Sequence, residues 1–470
     1  MSNNIKALRS GVWYIVANVI MKGIVFFTTP IFTRILSKDD YGLYSNYSSW
    51  LSTFTVFVTL YLVASLVSAR FDFEKDIDCY ISSMLILSTI SVGLWTIIVN
   101  VFSHYFTSLI GMDLKYINMM MVYMLLSTAI ELFVLREQYF YGYKKSVITS
   151  LIVAVSTAIL SVILVVYLQD KLFGRIAGSA IPTIVIGVAI YIHLLIKGKK
   201  VNTDYWKYAL PICFPYIPHV LSLTLLNSMD KIMITKTCGA DENAVYSVAY
   251  SCGAIVTLLV TSLNTAFCPW LGEMINTKSY AAIKSVSRVY ILFFVYVASG
   301  IMLVTPEVLL IMGGNGYTAS IRVMLPITLS CVVQFLYILF VNVEQFSKKT
   351  FGMACATVIA ALSNYVLNSV FIPRFGYTAA AYTTLISYVI LLILHMLLVK
   401  HIGLIEVYPV KLILVVLLIM SIYTLLLNMI LTNLVARLVL IGIYALISLA
   451  GIVRHKDIIW VMIKRYKSKA

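Results

Sequence analysis

Charge is what this chain has least of. Only 11% of its 470 residues are charged, and the 19 acids are well outnumbered by the 35 Lys and Arg residues. Soluble domains carry about a quarter charged residues, so a water-soluble globular fold is excluded. Cysteine is scarce as well. The seven cysteines are scattered and none forms a Cys-x-x-Cys pair, which argues against a zinc ribbon and a disulfide framework. No HExxH helix and no GxSxG elbow occurs. Gly313-Gly314-Asn315-Gly316 lacks the Lys-Ser/Thr ending of a nucleotide-binding loop and reads as a turn. No polar stretch is long enough to be a soluble domain between the hydrophobic runs.

What remains is hydrophobic residue, 61% of the chain, gathered in stretches of the length that crosses a bilayer as a helix, about twenty residues. The stretches are solidly apolar rather than alternating, which selects helices over a β-barrel. About fourteen spans are predicted: 12–34, 44–67, 79–102, 116–135, 147–168, 176–197, 209–235, 244–269, 286–306, 322–343, 351–372, 378–399, 410–431 and 436–453. The first follows Lys6 and Arg9, is too long for a signal-peptide core and lacks a small-residue cleavage site. The net charge of +16 sits mainly in short connections, the placement of a topology signal rather than of a nucleic-acid surface. It predicts an inner-membrane protein with both termini cytoplasmic.

The chain also resembles itself at one shift of 202 residues. Thr33-Arg34, Asp39-Asp40 and Leu43-Tyr44-Ser45 align with Thr235-Lys236, Asp241-Glu242 and Val245-Tyr246-Ser247. At the same shift Phe173-Gly174, Ala177 and His193 align with Phe375-Gly376, Ala379 and His395. Six spans per repeat return the chain to its starting side, so the halves are parallel, related by a pseudo-two-fold axis along the membrane normal. The predicted fold is all-α and polytopic: a six-helix bundle over 1–200, a second over 201–402, and two extra helices with a basic tail over 403–470.

Ionisable residues within spans cost at least ~2.5–3.5 kcal/mol on insertion scales, so each requires a partner, water or a function. The first span holds Lys22. At about 100° per residue, Asn18, Thr29 and Thr33 fall within about 40° of it, a polar stripe suited to a wet cavity. Lys22 either attracts an anion or pairs with an acid such as Glu131. Arg34 and Lys236, at matching repeat positions, are anion ligands or interfacial anchors. Glu131 is an acid in an apolar span, fitted to proton transfer or to an ion pair.

The seventh span carries Pro211, Pro215, Pro218-His219 and Asp230-Lys231. Its three prolines share a face and remove helix hydrogen bonds, which predicts a kinked or broken helix usable as a hinge. On a regular helix His219 and Asp230 lie within about 20° of each other. Asp230 is a candidate to carry a coupling proton, with His219 beside it. Lys231 contacts an anionic substrate or pairs with Asp230. His193 and His395 read as interfacial anchors, and most aromatics as interfacial belts.

Three stretches carry a family resemblance over about 1–400. They are Pro30-Ile31-Phe32-Thr33-Arg34-Ile35-Leu36 with Tyr41-Gly42-Leu43-Tyr44; Pro211, Pro218-His219, Leu221 and Asp230-Lys231 with Ile234; and Phe375-Gly376-Tyr377-Thr378-Ala379-Ala380-Ala381. The chain resembles the Wzx-type O-antigen and capsule repeat-unit flippases, the polysaccharide-transporter branch of the multidrug/oligosaccharidyl-lipid/polysaccharide exporter superfamily. Family members often have arginine where Lys231 stands and glycine near Ala379. The resemblance implies two bundles in a V around a cationic cavity, an oligosaccharide on undecaprenyl diphosphate as substrate, and a proton or sodium ion for coupling. It implies no enzymatic cofactor, and as partners the bilayer, the repeat-unit polymerase and the chain-length machinery. On it, Lys22, Lys231, Arg34 and Lys236 are assigned to the anion, and Asp230, Glu131 and His219 to coupling. Rival readings are a drug exporter or peptidoglycan-precursor flippase of the same superfamily, and a membrane-embedded polymerase or acyltransferase. The short loops and missing catalytic signatures weigh against the enzymes.

Overall fold

Every long apolar stretch becomes helix, because a backbone removed from water must satisfy its own hydrogen bonds. The computed structural model describes residues 3–140, 142–347, 350–431 and 433–454, and before Gly23 the side chains of Trp13, Ala17, Ile20 and Met21 only. Seventeen α-helices and no strand occur among these residues. The first eight are α1 (Asn3–Ile35), α2 (Lys38–Val58), α3 (Leu66–Asp72), α4 (Ile77–Val101), α5 (Ser103–Ile110), α6 (Leu114–Tyr139), α7 (Tyr143–Tyr167) and α8 (Lys171–Gly198). The next seven are α9 (Asp204–Cys238), α10 (Ala240–Asn276), α11 (Tyr280–Leu303), α12 (Thr305–Gly313), α13 (Ile321–Phe346), α14 (Thr350–Phe375) and α15 (Tyr377–His401). Two more, α16 (Val410–Ile430) and α17 (Leu434–Arg454), follow.

Among the described residues eleven helices are long and apolar enough to cross a membrane, and Lys38–Val58 with Leu62–Asp72 adds a twelfth span bent by 52°. The second span, expected over 44–67, is this bent pair. Leu60 and Tyr61 take positive φ, 56° and 45°, which ends α2 and turns the chain before α3. Within the expected spans 12–34 and 436–453 some side chains are undescribed, and the apolar parts that can be read, Gly23–Ile35 and Leu434–Ala450, are shorter.

Caps start the helices where the sequence offers them. Ser37 accepts from the Asp40 amide at the head of α2, and Asp170 from the Phe173 amide at the head of α8. Gly314, at φ 67°, supplies the turn between α12 and the following 3₁₀ turn. Of the kink or break expected at the prolines of the seventh span, a break does not occur: α9 is one helix of 35 residues through Pro211, Pro215 and Pro218. All three prolines are exposed, so the carbonyls they leave unbonded, on Lys207, Pro211 and Phe214, lie toward that open face.

Burial distinguishes helices of like composition. In its most apolar window α13 is 89% buried, at the centre of the core of 201–430, whereas α7 is 11% buried and turns outward. An all-round apolar helix suits either place. The last two helices dock on the preceding part. Arg437 donates to both carboxylate oxygens of Glu307 on α12 at 2.6 and 2.5 Å, and Tyr444 stacks on Tyr296 of α11 at 4.4 Å.

At one end the parts before and after residue 200 are sealed together. Thr33 donates to the Met312 carbonyl at 2.6 Å, and Asn243 to the Gly42 carbonyl at 2.9 Å. Ser45 and Ser247, equivalent under the 202-residue shift, hydrogen-bond to each other at 2.6 Å. The approach of α2 to α10 is so close that a Cβ on Gly42 would lie 1.8 Å from the Ala240 carbonyl oxygen.

Candidate functional site

Behind that seal lies a cavity of about 500 Å³. One wall is α1, through Gly23, Val25 and Phe26; the others come from α9, α10, α13 and α15. The lining is mostly apolar, with the polar groups of Asn227, Tyr250, Gln334, Thr384 and Tyr388 among it. Tyr250 and Tyr388 both donate to the side-chain oxygen of Asn227, at 3.3 and 3.1 Å. A lining of apolar surface with a few fixed hydrogen-bonding groups is the usual build of a small-molecule site.

Against this cavity sits a buried polar cluster around Asp230. Asp230 is 1% exposed. Its Oδ2 accepts from Tyr246 at 2.6 Å and from Thr384 at 2.5 Å, and its Oδ1 from Asn368 at 2.6 Å. A second tier holds the donors: Thr383 donates to Asn368, Asn368 to Asn364 at 3.1 Å, and Asn364 to Thr384 at 3.2 Å. All the donors are neutral, and no ion pair to Asp230 occurs among the described residues. A buried carboxylate so placed is satisfied in hydrogen bonds, with the Lys231 ammonium near enough to feel its charge but not bonded to it, and is fitted to take up a proton or a small cation. Thr384 belongs both to this network and to the cavity wall.

Lys231 does not pair with its neighbour. Successive helix residues point about 100° apart, and its ammonium lies over the Tyr250 ring, 4.7 Å from the centroid. Since Tyr250 lines the cavity, the cation is held at its edge.

A family model for polysaccharide biosynthesis proteins matches residues 7–275. The chain belongs to that family. Protein 1 of the Lsg locus of Haemophilus influenzae is 22% identical over 287 residues, 58% of this chain and 68% of that protein. The solved structure of the lipid II flippase MurJ in an inward closed conformation superposes with a TM-score of 0.69 at 16% identity, covering 94% of this chain and 99% of that one. An inward-facing multidrug-resistance MATE transporter of the MOP superfamily superposes with a TM-score of 0.60 at 14% identity, covering 81% and 94%. At these identities the likeness is one of fold. Both neighbours are transporters, and this chain is a multi-pass helical membrane protein that shares their fold.

In this polysaccharide biosynthesis family member the other sequence candidates lie apart from the cavity. Arg34 is at the seal, where it donates to Pro30 in its own helix at 2.7 Å and to the Ile311 carbonyl of α12 at 3.1 Å. A cation at a helix C-terminus meets both unpaired carbonyls and the favourable end of the dipole. Lys236 is exposed in the last turn of α9. Glu131 has an exposed side chain on α6 and forms no ion pair among the described residues. Lys22 immediately precedes the cavity-lining Gly23, but its side chain lies outside the described residues, and with it the pairing to Glu131. His219 and Asp230 share a face of the unbroken α9 but stand about 16 Å apart along its axis, too far to form one site.

The reading of His395 as an interfacial anchor is overturned. It is 2% exposed and paired with Glu344, a residue that drew no notice in the sequence. His193 is exposed, edge-on to Phe133. Sequence reasoning also missed Tyr246, Asn364, Asn368, Thr383 and Thr384. The one available signal was Asn364 and Asn368, four apart on one face of an otherwise apolar span.

The placement of Arg34 gives a first prediction. Arg34→Ala is expected to lower thermal stability by about 1 kcal/mol, because an exposed charged donor to two carbonyls is lost. Binding of a ligand in the cavity should be unchanged. A melting curve in detergent alongside a ligand-binding isotherm checks this; weakened binding at unaltered stability would return Arg34 to the substrate.

Proposed function

We propose that this protein is a flippase for an oligosaccharide repeat unit linked to undecaprenyl diphosphate, carrying it from the cytoplasmic to the outer leaflet of the bacterial inner membrane by alternating access. The observation that carries this reading is the cavity between α1 and the helices of 201–402 in a polysaccharide biosynthesis family member. Its apolar lining suits a polyprenyl chain, while Asn227, Gln334, Tyr250 and Tyr388 offer amides and phenols to sugar hydroxyls. Lys22 and Lys231 are assigned to the diphosphate, with termini cytoplasmic and the seal facing outward.

Asp230 is assigned to the coupling ion, a proton or sodium, because its carboxylate is buried with neutral hydrogen-bond donors only and Thr384 ties it to the cavity wall. Occupancy of Asp230 would then favour one packing of α9 against α14 and α15 over another, and so bias the two access states. The hinge role of Pro211, Pro215 and Pro218 fits a helix that flexes without breaking.

A deletion strain of the native host is the test. Surface polymer is expected to vanish while single lipid-linked units accumulate on the cytoplasmic leaflet, as read by mass spectrometry with leaflet assignment. Complementation with Lys22→Ala should restore part of the polymer only, and Lys231→Ala likewise. Units that reach the outer face unjoined would instead identify a polymerase. Unchanged glycan would point to an exporter, and loss of cell-wall precursor flipping to the peptidoglycan reading.

A further inference from the structure

Two helices that wall the cavity are clasped again, further along, by a pair that the transport reading leaves unused. Glu344 on α13 and His395 on α15 are 0% and 2% exposed, and Nδ1 of His395 lies 2.9 and 3.1 Å from the two carboxylate oxygens. The imidazole stacks on Tyr337, centroids 5.8 Å apart, and Tyr337 stacks on Tyr388 at 5.9 Å. Tyr388 is a wall of the cavity and donates to Asn227, so a row of stacked rings runs from the cavity to the pair.

A third helix joins them. His219 of α9 is close enough to His395 for their charges to interact, and its buried Nδ1 has no hydrogen-bond partner. The titratable groups facing the pair are thus Tyr337 from α13 and His219 from α9. Tyr408, just before α16, packs on Phe340 and donates to the Leu339 carbonyl. Lys400, His401 and Lys411 are exposed, and Lys348 and Lys349 lie outside the described residues.

A buried acid and imidazole are tolerable together only when their charges cancel. With Nδ1–H donating to the carboxylate, the pair is neutral when His395 carries both ring protons. Loss of one proton leaves a single buried negative charge. Histidine is the side chain that ordinarily makes this change near neutral pH. We propose that Glu344, His395 and His219 form a second proton-binding site, separate from Asp230, whose protonation sets the grip of α13 on α15 beside the cavity. One proton moves. It is released from the His395 imidazolium to the unpartnered nitrogen of His219 or to water, and returns by the same route, with no bond between heavy atoms made or broken. The use of this proton in transport rests on the flippase reading; its binding does not.

The test is an infrared pH-difference spectrum of the full-length protein in liposomes, without substrate or ion gradient, between about pH 5 and 8. Bands of imidazole protonation with a linked carboxylate change are expected in the parent protein and in Asp230→Asn. The linked carboxylate change is expected to be lost in His395→Gln and in Glu344→Gln, while the imidazole bands of the other histidines remain. In His219→Gln the midpoint should move by roughly one pH unit, as for interacting sites. Should Glu344→Gln fail to fold, as judged by gel filtration, the two histidine variants carry the test. A folded His395→Gln with the parent spectrum, or a His219→Gln with an unmoved midpoint, overturns the proposal. Either result leaves the flippase reading standing, since no transport is measured.

Discussion

Asp230→Asn is expected to cut gradient-driven flipping by up to roughly 50-fold. One coupling charge moved across about 100 mV is worth ~2.3 kcal/mol, and each 1.36 kcal/mol is a factor of about ten in rate. The substitution is chosen because it spares the fold. Asn keeps an oxygen for Tyr246 and Thr384, the two donors that share Oδ2, and the Asn368 amide that its nitrogen would face still has Asn364 as acceptor. Asp230→Ala would take the acceptor from Tyr246 and Thr384, at a cost of about 1–3 kcal/mol for each buried orphan, and so would confuse lost coupling with lost protein. Initial rates of a lipid-linked reporter in proteoliposomes, with an imposed proton or sodium gradient and without one, separate the two effects. Asp230→Asn should lose the gradient-dependent part and keep a slow passive part. Full gradient dependence in this variant would remove Asp230 from the coupling role.

Gly42→Ala is expected to open the seal. Its new Cβ would stand 1.8 Å from the Ala240 carbonyl oxygen, where real Cβ contacts essentially never fall below 3.0 Å, and the obstacle is backbone that cannot rotate away. Helices α2 and α10 must separate, which strains the Asn243 bond to Gly42 and the Ser45–Ser247 bond beside it. Overpacking of this kind costs about 1–3 kcal/mol, enough to shift a two-state population by roughly 5- to 150-fold. A Ser45→Cys/Ser247→Cys pair, in a background without the seven native cysteines, reports it: the hydroxyl oxygens are 2.6 Å apart, so the thiols should join readily on oxidation. Adding Gly42→Ala should cut cross-linking at least fivefold. Equal cross-linking with and without it would mean that the contact is not a moving seal.

The residues that matter at this seal were partly legible beforehand. The internal repeat picked out Ser45 and Ser247 as equivalent, although nothing in one dimension said that they would touch. Arg34 stood out by its position at a span end, but its partner is a carbonyl of α12, far along the chain. Backbone acceptors leave no mark in a sequence, so an arginine meant for a helix end and one meant for a phosphate look alike. The prolines of α9 were read for what they remove from a helix. Whether removal breaks it depends on where the freed carbonyls face, and that is set by the neighbours. Asp230 and Lys231 are adjacent in sequence and were weighed as a pair. Helical geometry sends one inward to three hydroxyl and amide donors and the other onto an aromatic ring.

Composition and hydrophobic run length determined by themselves that this is an all-helical membrane protein, because both follow from the cost of exposing backbone and charge to hydrocarbon, a cost paid residue by residue. The motifs along its length determined the family. Only the tertiary structure decided which polar residues meet. Asp230 with Asn368 and Thr384, and Glu344 with His395, come from helices whose order in the sequence carries no record of which faces they turn to one another. In a chain where nearly every face is apolar, periodicity loses its power to orient a helix. The few buried polar contacts, each too costly to leave unmade, fix that orientation instead.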